Sequence, residues 1–217
     1  MNIAIIGSSG FVGTNLVNEA IRRDHNITAI SRHTDKIPSD SKLVTTKSVD
    51  AFNVDGLSKV LKGHDAVLTA FHPGRNDPDQ YDKYIQGHQA IQEAIQKANV
   101  ERWLLIGGAG SLYIDTNKQL VDTPGFPKDF KVEATAARDY LDMLKKEKDL
   151  KWTYLSPAIL MHPGIDTGRT GNYRKGTDTP VFDENGKSKI SGEDLAVALL
   201  DELENGDFIQ KRFTVAY

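Results

Sequence analysis

The chain has 217 residues, a formal net charge of −3 and no cysteine. This length suits one domain with a full hydrophobic core, or one domain with a small appended lobe, and we expect the second. Lysines and glutamates are interspersed without a basic stripe, so nucleic acid is not an expected partner. The absence of cysteine excludes disulfides, thiolate metal sites and cysteine nucleophiles, and we predict no metal site. Since no apolar stretch is long enough for a signal-peptide core or a membrane span, we expect a cytoplasmic protein.

The first thirteen residues contain a short apolar run that breaks into three glycines. Residues 3–6 are mostly β-branched, as in a strand buried on both faces, and from Phe11 onward apolar residues recur at helical spacing. Gly7, Gly10 and Gly13 therefore occupy a strand-to-helix turn, where free N–H groups and the helix dipole attract phosphate. The glycines could instead serve only a sharp turn and a close helix–strand contact. Their place between a strand and a helix favours dinucleotide binding.

The second strand, predicted over residues 27–30, ends at Ser31 and Arg32. An acidic residue near this strand end suits the ribose 2′-hydroxyl of NAD, whereas a basic one suits the 2′-phosphate of NADP. Arg32 therefore favours NADP, with NAD as the alternative. Arg32 could equally be a solvated loop arginine that pairs with Asp35.

Strands and helical stripes alternate along the rest of the chain, which predicts an α/β protein with a parallel, doubly wound sheet. Further strands are expected at residues 43–49, 66–71, 102–106, 152–155 and 213–216, and further helices at 54–63, 77–99, 131–148 and 191–203. Ligands of such sheets bind beyond the carboxyl ends of the strands. This places residues 7–12, Arg32, Asp50 and residues 71–74 on one rim.

His88 and the segment 107–111 have different interpretations. His88 lies on the apolar stripe of a helix, so we assign it to the core and give it no chemistry. Residues 107–111, Gly-Gly-Ala-Gly-Ser, follow the fifth strand and suggest close approach of the backbone to a ligand, with the Ser111 hydroxyl available to it. A flexible loop without a ligand is the alternative.

Two long irregular stretches complete the chain. Residues 112–130 are expected to form a loop that covers the site. Residues 159–188 are expected to form much of a small carboxyl-terminal substrate lobe, because a long loop in a compact domain is usually functional or disordered. His162 in this stretch could approach the cleft, but a solvated loop histidine is the preferred interpretation.

Several segments together resemble a known family. They are residues 6–13 (IGSSGFVG), 30–32 (ISR), 107–112 (GGAGSL), 120–124 (LVDTP), 152–158 (WTYLSPA), 169–174 (RTGNYR) and 189–202 (KISGEDLAVALLDE). The chain resembles, over nearly its whole length, the NADH-flavin reductase group of atypical short-chain dehydrogenases, which is related to biliverdin reductase B and to NmrA-like proteins. The resemblance implies a single Rossmann-type domain over residues 1–217 and a bound NAD(P).

The resemblance also implies roles for individual residues. The pyrophosphate would lie on the glycine turn, Arg32 would meet the adenosine end, and Asp50 and Ala51 would meet the adenine. Ala70 and Phe71 would line the central stretch, and Ser111 would be the polar contact at the nicotinamide end. The full set of implied cofactor contacts is Gly7, Ser9, Gly10, Phe11, Val12, Arg32, Asp50, Ala51, Ala70, Phe71, Ala109, Pro157 and Ala158.

One departure from the wider superfamily bears on the reaction. Active dehydrogenases of that superfamily use a Tyr-x-x-x-Lys pair to exchange a proton with an alcohol or ketone. No tyrosine here has a lysine four residues later, and Pro127 occupies the tyrosine position that would match Lys131. Ordinary ketone reduction is therefore not expected.

Three functions remain open from the sequence. The first is NAD(P)H-dependent transfer of hydride to a flavin or similar conjugated acceptor, for which water can supply the proton. The second is a non-catalytic, NmrA-like redox sensor that binds NAD(P). The third, an epimerase or dehydratase acting on nucleotide sugars, ranks last because it would normally need the missing tyrosine. The small-molecule acceptor and the oligomeric state are not predicted further.

Overall fold

The computed structural model describes residues 1–74 and 77–217. Its strands are β1 (Asn2–Ile6), β2 (Asn26–Ser31), β3 (Val44–Ser48), β4 (Ala66–Thr69), β5 (Arg102–Ile106), β6 (Tyr113–Asp115), β7 (Lys118–Gln119), β8 (Lys151–Ser156), β9 (Arg174–Gly176) and β10 (Lys211–Ala216). Its α-helices are α1 (Phe11–Arg22), α2 (Val54–Leu61), α3 (Gln80–Lys97), α4 (Lys128–Leu144) and α5 (Gly192–Asn205).

Eight strands form one sheet in the order β3-β2-β1-β4-β5-β8-β10-β9, and only β9 runs antiparallel to its neighbour. Helices cover both faces because parallel neighbours need crossover connections. One face packs on α1 and α5, and the other on α2, α3 and α4. The predicted parallel, doubly wound sheet is confirmed.

The chain leaves β1 toward β2 and β3 on one side of the sheet, and then returns to β4, β5, β8 and β10 on the other. The strand order therefore reverses between β1 and β4. Loops diverge at such a switch point and leave a crevice beyond the carboxyl ends of the strands. The register brings Ile6 level with Ile30 on one side and with Thr69 on the other, so the turns that follow these residues meet at one edge.

The start of α4 differs from the sequence prediction. The helix runs over Lys128–Leu144 rather than 131–148, and the extended residue Pro127 precedes it. A proline fits before a helix because its fixed φ is acceptable there and the first N–H groups need no helical partner. Residues 112–127 are also more regular than predicted, since they contain the β6–β7 hairpin and a short 3-10 turn at Leu120–Asp122.

The segment 159–188 follows the outer edge of the sheet and has β9 as its strand. The Arg169 guanidinium donates to both carboxylate oxygens of the buried Glu19 on α1, at 2.6 and 2.9 Å. The carboxylate of Asp194 on α5 accepts hydrogen bonds from Thr170 N–H, at 2.9 Å, and from Gly171 N–H, at 2.8 Å. These contacts fasten the middle of the segment to α1 and α5.

In the part of the chain that the structure describes, no helix combines the length and apolar character that a membrane crossing requires.

Candidate functional site

An open cleft of about 260 Å³ lies beyond the carboxyl ends of β1, β2 and β4. Its position at the reversal of strand order is where ligands of this sheet architecture bind. The cleft brings together much of the implied cofactor set, namely Gly7, Ser9, Gly10, Arg32, Asp50, Ala51, Ala70 and Phe71.

The amino terminus of α1 lies at this cleft without a cap. Gly10 precedes the helix, no side chain accepts a hydrogen bond from the first turn, and no acidic residue lies in that turn. Gly7 N–H donates to Ile30 O at 2.9 Å, and Gly10 N–H donates to Gly7 O at 3.1 Å. Among the described residues, the N–H groups of Phe11 and Val12 have no acceptor. A helix end with free donors attracts an anionic ligand such as pyrophosphate.

The three glycines of the turn have different surroundings. A Cβ atom on Gly7, whose φ is +84°, would lie 2.5 Å from Ala70 O, and one on Gly13 would lie 2.0 Å from Gly7 O. A Cβ atom on Gly10 would meet only Gly7 O, at 3.4 Å. Gly7 and Gly13 are therefore required by the packing of the turn, whereas the fold can accept a side chain at Gly10.

Arg32 and Asp50 lie at the outer end of the cleft, where the resemblance places the adenosine. Arg32 is exposed and forms no ion pair with a described residue, so the alternative pairing with Asp35 is not seen. The Ser9 and Ser31 hydroxyls lie 2.6 Å apart beside it. One carboxylate oxygen of Asp50 accepts the Phe52 N–H at 3.0 Å. A free guanidinium next to two hydroxyls can bind a phosphate.

Phe71 and Phe52 form an aromatic wall along the cleft. Their rings meet edge to face, with centroids 6.0 Å apart, and the His88 ring lies behind Phe71 at 5.4 Å. A Cβ atom on Gly87 would lie 2.4 Å from Phe71 Cε1, so this helical glycine makes room for the ring. Phe52 was not a sequence candidate, because a lone aromatic residue after a strand gives no signal of its own.

His88 is completely buried, as its assignment to the core predicted. Its Nδ1 lies 2.9 Å from Tyr84 O, and its Nε2 has no partner among the described residues. Burial lowers the pKa of His88 to about 4. The ring is therefore neutral at physiological pH and packs as an aromatic group.

His72 lines the inner end of the cleft, and its Nε2 lies 3.2 Å from Glu133 Oε1 on α4. Gly74 N–H donates to His72 Nδ1 at 2.9 Å. The ring therefore faces the backbone of its own loop through Nδ1 and the Glu133 carboxylate through Nε2. His72 lies on the predicted rim, whereas Glu133 has no signal in the sequence, since 61 positions separate the two residues.

Ser111, the candidate catalytic residue, does not line the cleft. It is 0% exposed, its hydroxyl donates to Gly108 O at 3.0 Å, and it lies 3.1 Å from the hydroxyl of Ser156. Pro157 and Ala158 are also buried, whereas Ala109 is half-buried. Phe11 and Val12, the other implied contacts outside the cleft lining, directly follow the lining residue Gly10 at the start of α1.

The cleft and the segments that contain Ser111 and Pro157 nevertheless lie along the same edge of the sheet, after neighbouring strands. Ser31, Gly7, Ala70, Gly107 and Pro157 come after or at the ends of β2, β1, β4, β5 and β8, which are adjacent in that order. At about 4.8 Å per strand this edge spans roughly 19 Å. The roles given to Ala109, Ser111, Pro157 and Ala158 at the nicotinamide end stay predictions.

The glycines of segment 107–111 approach protein atoms. A Cβ atom on Gly107 would lie 1.8 Å from Tyr154 Cζ, and one on Gly110 would lie 2.8 Å from the Cβ atom of Ala134 on α4. The Tyr154 hydroxyl fills this space and donates to Ala137 O at 2.8 Å. The close approach expected from the sequence therefore exists, but its partners are a buried tyrosine and α4.

No tyrosine lines the cleft in the described residues. Burial raises the pKa of the Tyr84, Tyr140 and Tyr154 hydroxyls, and the hydrogen bond to Asp139 raises the pKa of Tyr81. These shifts are opposite to the one that a catalytic tyrosine needs. At the position that matches the missing tyrosine, Pro127 precedes α4, and Lys131 is exposed on the first turns of that helix.

The structure shows where residues 112–130 and His162 lie relative to the cleft. No described residue of 112–130 lines this cleft, and Gln119 of this stretch donates to Ser111 O in the turn after β5. The hairpin instead lies toward segment 159–188, because Tyr113 N–H donates to Asp178 O at 2.8 Å. His162 is exposed, in agreement with the preferred interpretation of a solvated loop histidine.

A doubly wound parallel sheet with a glycine turn and an uncapped helix at its switch point defines a Rossmann-type dinucleotide-binding protein. The model of the NAD(P)H-binding family matches residues 7–206, and the chain belongs to this family.

Three relatives cover nearly the whole chain. The uncharacterized protein YwnB of Bacillus subtilis (strain 168) is 36% identical over 99% of this chain and 98% of its own length. The structure of a proposed epimerase from Bacteroides thetaiotaomicron is 40% identical, with a TM-score of 0.91, over 100% of this chain and 96% of that one. The structure of SP1627, a proposed NADH-flavin reductase from Streptococcus pneumoniae, is 36% identical, with a TM-score of 0.87, over 100% of this chain and 99% of that one.

Proposed function

We propose that this protein is an NADPH-dependent reductase that passes a hydride to a flavin or a similar flat, conjugated acceptor. The observation that carries the proposal is the combination of an uncapped α1 at the switch-point cleft with Pro127, before α4, at the position that matches the missing tyrosine. The first feature suits a dinucleotide. The second removes the usual acid for ketone reduction but not hydride transfer to an acceptor that takes its proton from water.

The chain's own groups would divide the work of binding. The Phe11 and Val12 N–H groups would hold the pyrophosphate, and Arg32 would pair with the 2′-phosphate. The Phe71 and Phe52 rings would exclude water from the middle of the cleft. Bound NADPH would supply the hydride. Ser111 would fix the polar side of the nicotinamide end through the turn that it closes.

Two further polar pairs at the cleft would hold its walls in place. The His72 and Glu133 pair joins the loop after β4 to α4, and the Asp77 carboxylate accepts hydrogen bonds from Lys83 Nζ at 2.7 and 2.9 Å. Both pairs are already satisfied within the protein. They would hold the walls of the cleft rather than supply charge to the cofactor.

The test is oxidation of NADPH by the purified protein with FMN, FAD or a quinone as acceptor. We expect turnover with at least one of them, and no turnover with the Gly10→Ala variant, whose added Cβ would block the pyrophosphate. No turnover with any acceptor, despite measurable NADPH binding, would overturn the reductase. Calorimetry would then separate the sensor, which should discriminate oxidised from reduced cofactor, from an epimerase, which must bind a nucleotide sugar.

The partners of the protein would be small molecules only. The protein itself would act in the cytoplasm. The near-neutral charge without a basic stripe argues against nucleic acid as a partner. Fractionation of cells that produce the protein would test the location, and its recovery with membranes would contradict it.

A further inference from the structure

Arg212 is a buried guanidinium behind the turn that contains Ser111. Its side chain is 3% exposed, and its Nη1 donates to Ser111 O at 2.6 Å. Its Nη2 forms an ion pair with Asp178, and the guanidinium lies 5.6 Å from the centroid of the Tyr113 ring. One side chain of β10 therefore connects the segment after β5 with segment 159–188.

This arrangement is a costly way to stabilise a fold. Burial of a guanidinium costs free energy that an ion pair recovers only when every donor is satisfied. Here the Asp178 side chain is 68% exposed, so solvent weakens the pair, and Arg212 Nε has no partner among the described residues. What the guanidinium does provide is fixed geometry, because a planar group restrains both of its partners in direction as well as in distance.

The partner that Arg212 holds is the backbone of Ser111. The same carbonyl oxygen accepts a second hydrogen bond, from Gln119 Nε2 at 3.0 Å. The hydroxyl of Ser111 binds Gly108 O, which closes the turn. Arg212, which is level with Tyr154 and Leu105 in the sheet, thus holds the Ser111 carbonyl at the end of a turn that Ser111 itself closes.

We propose that Arg212 is a positioning residue that holds the Ser111 carbonyl, and so orients the turn over residues 108–111 for the nicotinamide end of the cofactor. Through Asp178 it also couples this turn to segment 159–188. The inference rests on the proposed function, which places Ser111 at the nicotinamide end. Arg212 itself would touch neither cofactor nor acceptor.

The test compares two ligands by calorimetry: NADPH, and 2′-phospho-ADP-ribose, which lacks the nicotinamide. Arg212→Met should weaken NADPH binding about tenfold and leave the truncated ligand within about twofold of wild type. Arg212→Lys should restore part of the loss, because an ammonium can reach one of the two partners. Arg174→Met is the matched control, since exposed Arg174 binds Phe182 O and Tyr217 O but not Ser111, and it should change neither affinity.

Should Arg212→Met fail to fold, Gln119→Ala removes the other donor to the same carbonyl from a half-buried position. It should weaken NADPH selectively by about threefold. Equal losses for both ligands, or no loss for NADPH, would overturn the proposal. Neither measurement uses an acceptor, so a wild type that binds NADPH but reduces nothing would contradict the proposed function without deciding the role of Arg212.

Discussion

The two halves of the carboxyl edge differ in what their polar groups bind. In the half that follows β1 and β2, the Phe11 and Val12 N–H groups and the Arg32 guanidinium have no partner among the described residues. In the half that follows β5 and β8, the hydroxyls of Ser111 and Tyr154 are buried and satisfied by the protein. The first half therefore offers a ligand free charges and donors, whereas these two hydroxyls of the second half are already engaged within the protein.

The glycines of the two halves show the same difference. A Cβ atom on Gly10 would meet only Gly7 O, at 3.4 Å, whereas one on Gly107 would overlap the ring of Tyr154. A glycine that leaves room for a ligand and one that leaves room for a side chain are identical in sequence. Substitutions should separate them.

The largest effect is expected from Gly107→Ala. Its Cβ atom would lie 1.8 Å from Tyr154 Cζ, and the Tyr154 ring is fully buried and held by its hydrogen bond to Ala137 O. We expect the free energy of unfolding in urea to fall by about 4 kcal/mol or more. The double variant Gly107→Ala, Tyr154→Val should be more stable than the sum of the single losses predicts. A stable Gly107→Ala protein that merely fails to bind NADPH would show that this glycine serves the ligand.

A pair of substitutions in the first half should separate packing from binding. Gly13→Ala would place a Cβ atom 2.0 Å from Gly7 O and should cost about 3 kcal/mol of stability. Gly10→Ala should keep the wild-type urea midpoint within about 0.5 kcal/mol and lose most NADPH binding. Similar stability losses in both variants would contradict the division of roles between the glycines.

His88, behind Phe71 at the boundary between the halves, should make stability depend on pH. Its pKa is about 4 in the folded protein against 6.5 when unfolded, so between these values only the unfolded chain binds a proton. Stability should therefore fall by about 3 kcal/mol as the pH drops from 6.5 to 4. His88→Phe, which keeps an aromatic ring, should lack this part of the loss in urea titrations. Equal pH dependence in both proteins would mean that His88 protonates freely when folded.

The smallest effect should come from Arg32→Ala. Because Arg32 is exposed and has no ion pair with a described residue, its loss should leave stability unchanged. NADPH binding should weaken by about 10- to 100-fold and NADH binding by less than about threefold, since only NADPH carries the 2′-phosphate. Calorimetry with both cofactors measures the difference. Equal weakening of the two would remove Arg32 as the reader of the phosphate.

Much of the fold could be predicted because its signals are local. The break from a β-branched run to helical spacing around Gly7 and the strand at 102–106 are properties of a few consecutive residues. The start of α4 was placed three residues late, because Pro127 can end a loop or precede a helix with the same φ. The hairpin at residues 113–119 could not be predicted, because strands as short as β6 and β7 do not show the alternation of apolar and polar residues that indicates a strand.

The sequence by itself determined the strand–helix alternation, the glycine turn between β1 and α1, the missing Tyr-x-x-x-Lys pair and the basic residue after β2, since each depends on the identity and spacing of neighbours. Only the tertiary structure decided which groups remain free. It paired His72 with Glu133, placed Tyr154 against Gly107, and brought Arg212 to a carbonyl 101 positions away. The reason is physical: burial and hydrogen bonding are set by whichever residues the sheet brings together, and contacts across such separations leave no periodicity in the chain.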